Sequence, residues 1–183
     1  MATTPEQIDL WRQSTSEHQR LEFKEAKTQF DNTKLYEYCV ALSNEGGGYL
    51  LLGVANKPPR PVVGTQAFNN TVAMEEKIFQ AIGFRVDIEE VIHPDGRVLV
   101  FHIPSRPRGT AYHLDGKYLM RSGEALVPMT EDQLRKIFAE GGPDWLEEQS
   151  LSGIDAQQVV ERYPDGKEAI ELSADKYATS GSN

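Results

Sequence analysis

The sequence predicts an α+β fold in which a mixed β-sheet is covered by two or three helices. Strict apolar–polar alternation over residues 20–24 is typical of a strand, and an apolar stripe at helical spacing over residues 32–43 is typical of a helix. The near-continuous apolar run over residues 49–54 indicates a strand covered on both faces. Two hairpin signatures further along the chain complete the α+β pattern.

The N-terminal residues predict a short helix followed by a strand. Thr3 or Thr4 can cap the helix, and Pro5 suits its first turn. In the strand over residues 20–24, the two apolar side chains face the core, and Glu22 and Lys24 share the opposite face because side chains alternate along a strand.

The second helix, over residues 32–43, is predicted with Asn32 as its N-cap. Its apolar stripe consists of Leu35, Tyr38, Cys39 and Leu42. Cys39 lies inside that stripe and is therefore interpreted as a buried structural thiol rather than a nucleophile. The glycines at 46–48 end the helix, since glycine adopts the left-handed conformation of a helix C-terminus without strain.

A third helix is predicted over residues 71–82, capped by Asn69 or Asn70. Its inward-facing residues are expected to be Val72, Ile78, Phe79 and Ile82. A last helix begins at 130–132 and runs to about Ala139.

Two hairpins are predicted between these helices. The first pairs residues 86–92 with 98–103 across the turn His93-Pro94-Asp95-Gly96. The second turns at Asp115-Gly116 and carries His113 and Lys117 on its arms.

The composition of the chain excludes several classes of protein. The chain has 183 residues and a mass of 20.5 kDa, enough for one domain with appendages. A single cysteine excludes an internal disulfide and a cysteine-based zinc cluster. No apolar run approaches membrane-spanning length, and the N-terminus lacks a secretory signal pattern, so we expect a cytoplasmic protein without a membrane partner.

Charge is distributed unevenly along the chain. From residue 143 onward there are three basic and nine acidic residues, whereas residues 17–142 are nearly balanced. We therefore divide the chain into an N-terminal helix (1–16), a domain (17–141) and an acidic, partly flexible tail (142–183). The balance of the central part leaves room for a local basic patch but is unlike a strongly basic nucleic-acid domain.

The segment around Glu22 and Lys24 carries the clearest candidate chemistry. Carboxylates and a lysine in an E-x-K arrangement are found in many metal-dependent nucleases, where the carboxylates hold a divalent cation. Glu17 is the nearest further carboxylate, but on a straight strand it would face away from Glu22. Taken alone, the motif is also typical of a solvated strand face.

Several motifs occur in order: LEFKEA, a helix ending in SNEGGGYLLLGVAN, a hairpin, and GKYLMRSGE. Together they resemble the Schlafen AlbA_2 domain, also described as a divergent AAA-4 or AlbA-type nucleic-acid-binding domain, over about residues 15–140. The resemblance implies a single lobe of that fold and binding of nucleic acid, RNA or DNA.

The resemblance also implies a catalytic alternative, a metal-dependent endoribonuclease acting on structured RNA such as tRNA. Glu17 and Glu22 match the acidic positions of the family's E-x-x-x-x-E-F-K element, and Lys24 matches its lysine. The third acid, an aspartate, is replaced by Ala55-Asn56. Asn56 can ligate Mg²⁺ or Mn²⁺ through its carbonyl but brings no charge, so the acidic triad is incomplete.

Contacts with a phosphate backbone are expected from loop and hairpin cations. These are Lys57, Arg60, Arg106, Arg108, Lys117 and Arg121, with Lys24 as a further cation. His113 with Tyr112 or Tyr118 offers stacking on an unpaired base. Since larger Schlafen cores use two lobes and this chain has room for one, we expect a homodimer if it grips duplex or folded RNA.

A third hypothesis is a regulatory domain that binds ATP or another protein. Bacterial members with this domain are often named ATP-binding proteins or transcriptional regulators. The chain lacks a G-x-x-x-x-G-K-[ST] loop, and its glycines follow a helix instead of preceding one, which gives ATP little support. The acidic tail is the feature that favours a protein partner.

Overall fold

The computed structural model describes residues 2–13, 20–123 and 125–141. The chain divides into two units, Met1–Gly141 and Gly142–Asn183. The second unit, which contains the acidic tail, lies outside the described residues, and so does Glu17.

Four helices and seven strands occur in the described part of the chain. The helices are α1 (Pro5–Gln13), α2 (Asn32–Asn44), α3 (Thr71–Ile82) and α4 (Glu131–Ala139). The strands are β1 (Leu21–Lys24), β2 (Gly48–Leu52), β3 (Asp87–His93), β4 (Gly96–Ile103), β5 (His113–Leu114), β6 (Lys117–Ser122) and β7 (Ala125–Pro128). None of the described helices has the length and apolarity needed to cross a membrane.

The strands form two sheets, which confirms the mixed α+β prediction. The larger sheet has the order β1-β2-β4-β3, with β1 parallel to β2 and the other neighbours antiparallel. The smaller sheet is antiparallel with the order β5-β6-β7. Both predicted hairpins are confirmed, as β3–β4 and β5–β6.

Helices cover both faces of the larger sheet. On one face, α2 and α3 pack on Leu50, Leu52 and Phe101. On the other face, Ile8 of α1 packs in a cluster that includes Phe23. The leucines of β2 are fully buried, as expected for an apolar run between two layers.

Two local predictions need correction. The N-cap of α2 is Asp31 rather than Asn32, because the Asp31 side chain accepts the Lys34 N–H at 2.8 Å. Asn70 caps α3 as predicted, but Val72 and Phe79 do not face inward; they are 69% and 48% exposed. Ile78 and Ile82 are buried as predicted, and Met74 completes the buried stripe with a spacing of four that follows the helical period.

Candidate nucleic-acid interface

The three glycines of the turn between α2 and β2, Gly46–Gly48, determine how closely β2 can approach β1. Gly46 and Gly47 have φ of +98° and +81°, a conformation that favours glycine. A side chain on Gly48 would clash with the Arg20 carbonyl, whose oxygen accepts the Tyr49 N–H at 2.7 Å. The glycines therefore allow β2 to start directly beside β1.

Asn44, at the end of α2, holds the second hairpin in place. Its Nδ2 donates to the carbonyl oxygens of Tyr112 and Leu119 at 2.9 and 3.0 Å, and its Oδ1 accepts the Tyr112 N–H at 2.8 Å. Because Asn44 is only 5% exposed, water does not reach its side-chain amide, and these three bonds satisfy its donor and acceptor atoms. The asparagine of the SNEGGG motif thus has a structural role.

Glu22 is buried, so the interpretation of the E-x-K motif as part of a solvent-exposed strand face is wrong. Its exposed fraction is 3%, and its two carboxylate oxygens lie 2.7 Å from Lys24 Nζ and 3.3 Å from Arg121 Nη2. Lys24 lies on β1 with Glu22, whereas Arg121 lies on β6, so Glu22 joins β1 of the larger sheet to β6 of the smaller sheet. This arrangement neutralises the carboxylate within the protein.

Lys24 keeps its charge in this environment. Burial alone would lower the pKa of its ammonium group, but the contacts with Glu22 and Tyr38 outweigh that effect and raise it. The Nζ atom also lies 4.8 Å from the centroid of the Tyr38 ring, within cation–π range. Lys24 is therefore a cation held between a carboxylate and an aromatic ring.

Arg121 links β6 to the glycine turn. Its backbone N–H donates to Glu45 Oε1 at 2.8 Å, and its Nη1 reaches the Leu21 carbonyl oxygen at 3.4 Å. Burial raises the pKa of Glu45, an effect that Arg121 opposes. Arg121 was predicted to contact phosphate, but with a side chain only 8% exposed it serves here to join the two sheets.

The described residues do not fit a divalent cation at Glu22. The carboxylate is buried and already paired with two cations, and the described part of the chain holds no group of three His, Cys, Asp or Glu side chains placed to bind a metal. Asn56 follows the C-terminal end of β2, and its backbone carbonyl oxygen, not the side-chain oxygen predicted as a ligand, accepts from Arg60 Nε at 3.2 Å. The magnesium or manganese site with Glu17 stays a prediction, since Glu17 lies outside the described residues.

Arg60 is not available to a phosphate in this structure. It is 5% exposed, and its guanidinium carbon lies 5.2 Å from the centroid of the Phe23 ring. Its Nη1 also reaches the Arg12 carbonyl oxygen at 3.5 Å. Arg60 therefore attaches the loop after β2 to α1 and β1.

Arg106 is paired with a carboxylate of α4. Its Nη1 and Nη2 lie 2.7 and 2.8 Å from the two carboxylate oxygens of Glu140, a bidentate geometry, and its Nε donates to the Asn44 carbonyl oxygen at 3.1 Å. The hydrogen bonds from Arg106 lower the pKa of Glu140. Arg106 thus orders the basic loop, while Arg108 on the same loop is exposed.

The remaining predicted cations are exposed but do not form one group. Lys57 lies beyond the C-terminal end of β2, whereas Arg108 follows β4, whose last residue Ile103 pairs with Gly48 at the N-terminal end of β2. Lys57 and Arg108 are therefore at opposite ends of the larger sheet. Lys117 is exposed at the turn of the second hairpin.

The proposed stacking residues are partly used in packing. Tyr112 stacks on Phe84 with ring centroids 4.3 Å apart, so one of its faces is covered. His113 and Tyr118 contact each other edge-on at 5.3 Å, and His113 is exposed. Of these three side chains, His113 is the exposed one and is accessible for stacking on a base.

Two further arginines, missed in the sequence, line a pocket of about 560 Å³ beside the glycine turn. Arg20 and Arg85 are both exposed, and the pocket also includes His102, Asp87 and Ser105. Arg20 directly precedes β1 and Arg85 lies two residues before β3. These two strands start at the same end of the sheet, which the fold shows and the sequence spacing does not. We call this cavity the arginine pocket.

The basic loop continues from the arginine pocket. A second cavity of about 300 Å³ is lined by residues that include Arg106, Arg108 and Glu140, and it shares Gly46 and Ser105 with the arginine pocket. Cations therefore flank both sides of the ridge formed by these two shared residues. We call this combined region the glycine-turn surface.

Comparison with known proteins gives a family match and two structural likenesses. The family model described as Schlafen, AlbA_2 matches residues 17–130. The crystal structure of the DIP2311 protein from Corynebacterium diphtheriae matches with a TM-score of 0.58 at 18% identity, covering 76% of this chain and 32% of that protein. The chain thus spans about a third of the length of DIP2311, and the likeness shows the fold alone.

The second structure is the N-terminal domain of a protein from Nitrosomonas europaea that is named as related to the ATP-dependent DNA helicase RecG. Its TM-score is 0.48 at 15% identity, and the match covers 72% of this chain and 92% of that domain. Among the curated proteins, none matches the chain significantly.

Proposed function

The chain belongs to the Schlafen AlbA_2 family, and we propose that it binds nucleic acid, RNA or DNA, on the glycine-turn surface. The observation that carries this proposal is the position of three exposed arginines, Arg20, Arg85 and Arg108, around one ridge of the domain. Clustered exposed arginines suit a phosphate backbone, because each guanidinium can donate two hydrogen bonds to one phosphate.

Binding without strand cleavage is the activity that the described residues support best. Glu22, the carboxylate at the centre of the nuclease alternative, is engaged by Lys24 and Arg121. A metal ion would have to displace both cations from a buried group, which costs two ion pairs, including the Arg121 pair that joins the two sheets. The endoribonuclease function is therefore the second candidate, to be tested in the same experiment.

Because the chain is acidic overall, nucleic-acid binding has to depend on one local basic surface. The formal charge is −9, so long-range attraction to a polyanion is absent and binding depends on short-range contacts. Under this proposal the protein acts alone or as the predicted homodimer. Light scattering at micromolar concentration distinguishes the two, and a monomeric mass would contradict the dimer.

The experiment measures fluorescence anisotropy of labelled tRNA and of a matched DNA duplex, each with Mn²⁺ or with EDTA. Arg108→Glu is the test variant, and Arg135→Glu is the matched control because Arg135 is an exposed arginine of α4 outside the glycine-turn surface. We expect binding in EDTA that Arg108→Glu weakens about tenfold and Arg135→Glu leaves nearly unchanged.

Each other outcome changes a specific part of the account. Cleavage that requires Mn²⁺ and disappears in Glu22→Gln would favour the endoribonuclease. Equal losses in both charge-reversal variants would place binding elsewhere than the glycine-turn surface. The absence of binding to either nucleic acid would contradict the proposed function and favour the regulatory hypothesis.

A further inference from the structure

The two arginines of the arginine pocket differ from Arg97, Arg106 and Arg121 in the contacts that their guanidinium groups make with the protein. Within the described part of the chain, neither the Arg20 nor the Arg85 guanidinium forms an ion pair or a hydrogen bond, whereas Arg97, Arg106 and Arg121 each hold a carboxylate. Arg85 contacts the Phe79 ring at 5.8 Å from its centroid, a contact that leaves its N–H groups free to donate.

The glycine turn determines where Arg20 can lie. A Cβ atom added to Gly46 would lie 3.7 Å from Arg20 Nη2, so the guanidinium rests against the turn. The turn therefore places the exposed Arg20 cation at the wall of a cavity, and among the described residues no carboxylate forms an ion pair with it.

His102 adds an oriented polar group to the same cavity. Its Nε2 lies 3.0 Å from Glu89 Oε2, and Glu89 in turn accepts the Thr3 N–H at 2.7 Å. The Tyr49 ring packs edge-on to the imidazole with centroids 5.1 Å apart. These contacts fix the ring at the pocket wall, so a ligand there meets a preorganised surface.

The charges in the pocket point to an anion with more than one negative charge. Two arginines face one carboxylate, Asp87, since the Glu89 charge is already engaged by His102 and Thr3. We propose, resting on the proposed nucleic-acid function, that the arginine pocket binds the terminal phosphate monoester of a nucleic-acid strand. A monoester carries about two charges at neutral pH, whereas an internal phosphodiester carries one.

The size and surroundings of the pocket fit a strand end better than a free ion. Its volume of about 560 Å³ lies within the usual range for small-molecule sites and leaves room for the sugar and base that carry the phosphate. The ridge of Gly46 and Ser105 leads to the cavity at Arg108, where the next phosphates of the strand would lie.

The experiment compares short oligonucleotides of one sequence that carry a 5′-phosphate, a 3′-phosphate or only hydroxyl ends. We expect one phosphorylated end to bind about tenfold more tightly than the hydroxyl strand. Arg20→Ala and Arg85→Ala should each remove most of that preference while retaining the weaker binding. Arg135→Ala is the matched control, and its circular dichroism and that of the pocket variants should match the wild type.

The outcomes separate this inference from the proposed function. Equal binding of all three strands would overturn the terminal-phosphate site and leave nucleic-acid binding intact. Binding of none of them would contradict the proposed function itself. A preference that survives both arginine substitutions would place the site elsewhere, and equal affinity for a free nucleoside monophosphate would overturn the assignment to a strand end.

Discussion

The Arg121 guanidinium lies 3.3 Å from the Glu22 carboxylate, which joins the smaller sheet to the first strand of the larger one. Both side chains are buried, and Lys24 holds the second oxygen of the same carboxylate at 2.7 Å. The three residues therefore form a charged network inside the domain. Breaking a buried pair leaves a charge without compensation, so the network has a large effect on stability if one member is removed.

Glu22→Ala is expected to lower the free energy of unfolding by about 3 kcal/mol, because Lys24 and Arg121 lose their shared partner. Urea denaturation followed by circular dichroism measures the effect. Glu25→Ala is the control: Glu25 is exposed, lies 3.7 Å from an exposed Lys27, and should change stability by less than about 0.5 kcal/mol. An unchanged midpoint for Glu22→Ala would show that the network contributes nothing to the fold.

Asn44→Ala should destabilise the domain by about 2 kcal/mol, since it leaves buried backbone groups of Tyr112 and Leu119 without partners. Asn44→Asp should cost at least as much, because a carboxylate would face two carbonyl oxygens. Hydrogen exchange of the Tyr112 amide checks the local effect. Protection of that amide at the wild-type level in both variants would refute the proposed anchoring of the hairpin.

The docking of α1 on the larger sheet is expected to weaken in acid. A hydrogen bond from Arg12 lowers the pKa of Asp9, which also contacts His93 at 3.3 Å. Burial acts to raise the pKa of Glu89, but its bonds with Thr3 and His102 outweigh this and lower it. A carboxylate with a lowered pKa in the folded state stabilises at neutral pH, and this contribution is lost as the pH falls through the folded pKa.

Trp11 of α1 provides the readout of this acid transition. Its ring lies 4.7 Å from the Tyr49 ring, measured between centroids, so release of α1 should shift its emission to the red. The measurement uses Trp145→Phe, which leaves Trp11 as the one tryptophan. We expect the shift below about pH 4, the ordinary carboxyl range, and constant emission down to about pH 2 would contradict the assigned contacts.

Cys39 should be inert in the native protein. It is fully buried in the stripe of α2 that the sequence predicted, and burial raises the pKa of its thiol. Alkylation with iodoacetamide near neutral pH is expected to proceed in denaturant and to be undetectable in the folded state over the same period. Comparable rates in the two conditions would contradict the packing of α2.

The sequence predicted those parts of the fold that depend on local patterns. The β2 run, the α2 stripe and both hairpins were identified because their periodicity and turn residues carry the information locally. The prediction for α3 was correct for Ile78 and Ile82. It was wrong for Val72 and Phe79, because these lie on a neighbouring apolar stripe of the helix and only packing on the sheet decides which stripe is buried.

The candidate site was harder to predict, because the use of a cation depends on its tertiary partners. Arg60 and Arg121 resemble surface loop cations in the sequence, yet the fold places Phe23 beside the first and Glu22 beside the second. Arg20 and Arg85 line one pocket because β1 and β3 begin at the same end of one sheet. No sequence spacing records that proximity.

The salt dependence of nucleic-acid affinity tests the central claim most directly. The logarithm of the association constant for labelled tRNA, plotted against the logarithm of the salt concentration, should fall linearly because bound cations release counterions from the phosphates. Arg108→Ala should make that slope shallower by about one unit, and Arg135→Ala should leave it unchanged. A flat line for the wild-type protein, or identical slopes for both variants, would contradict phosphate binding on the glycine-turn surface.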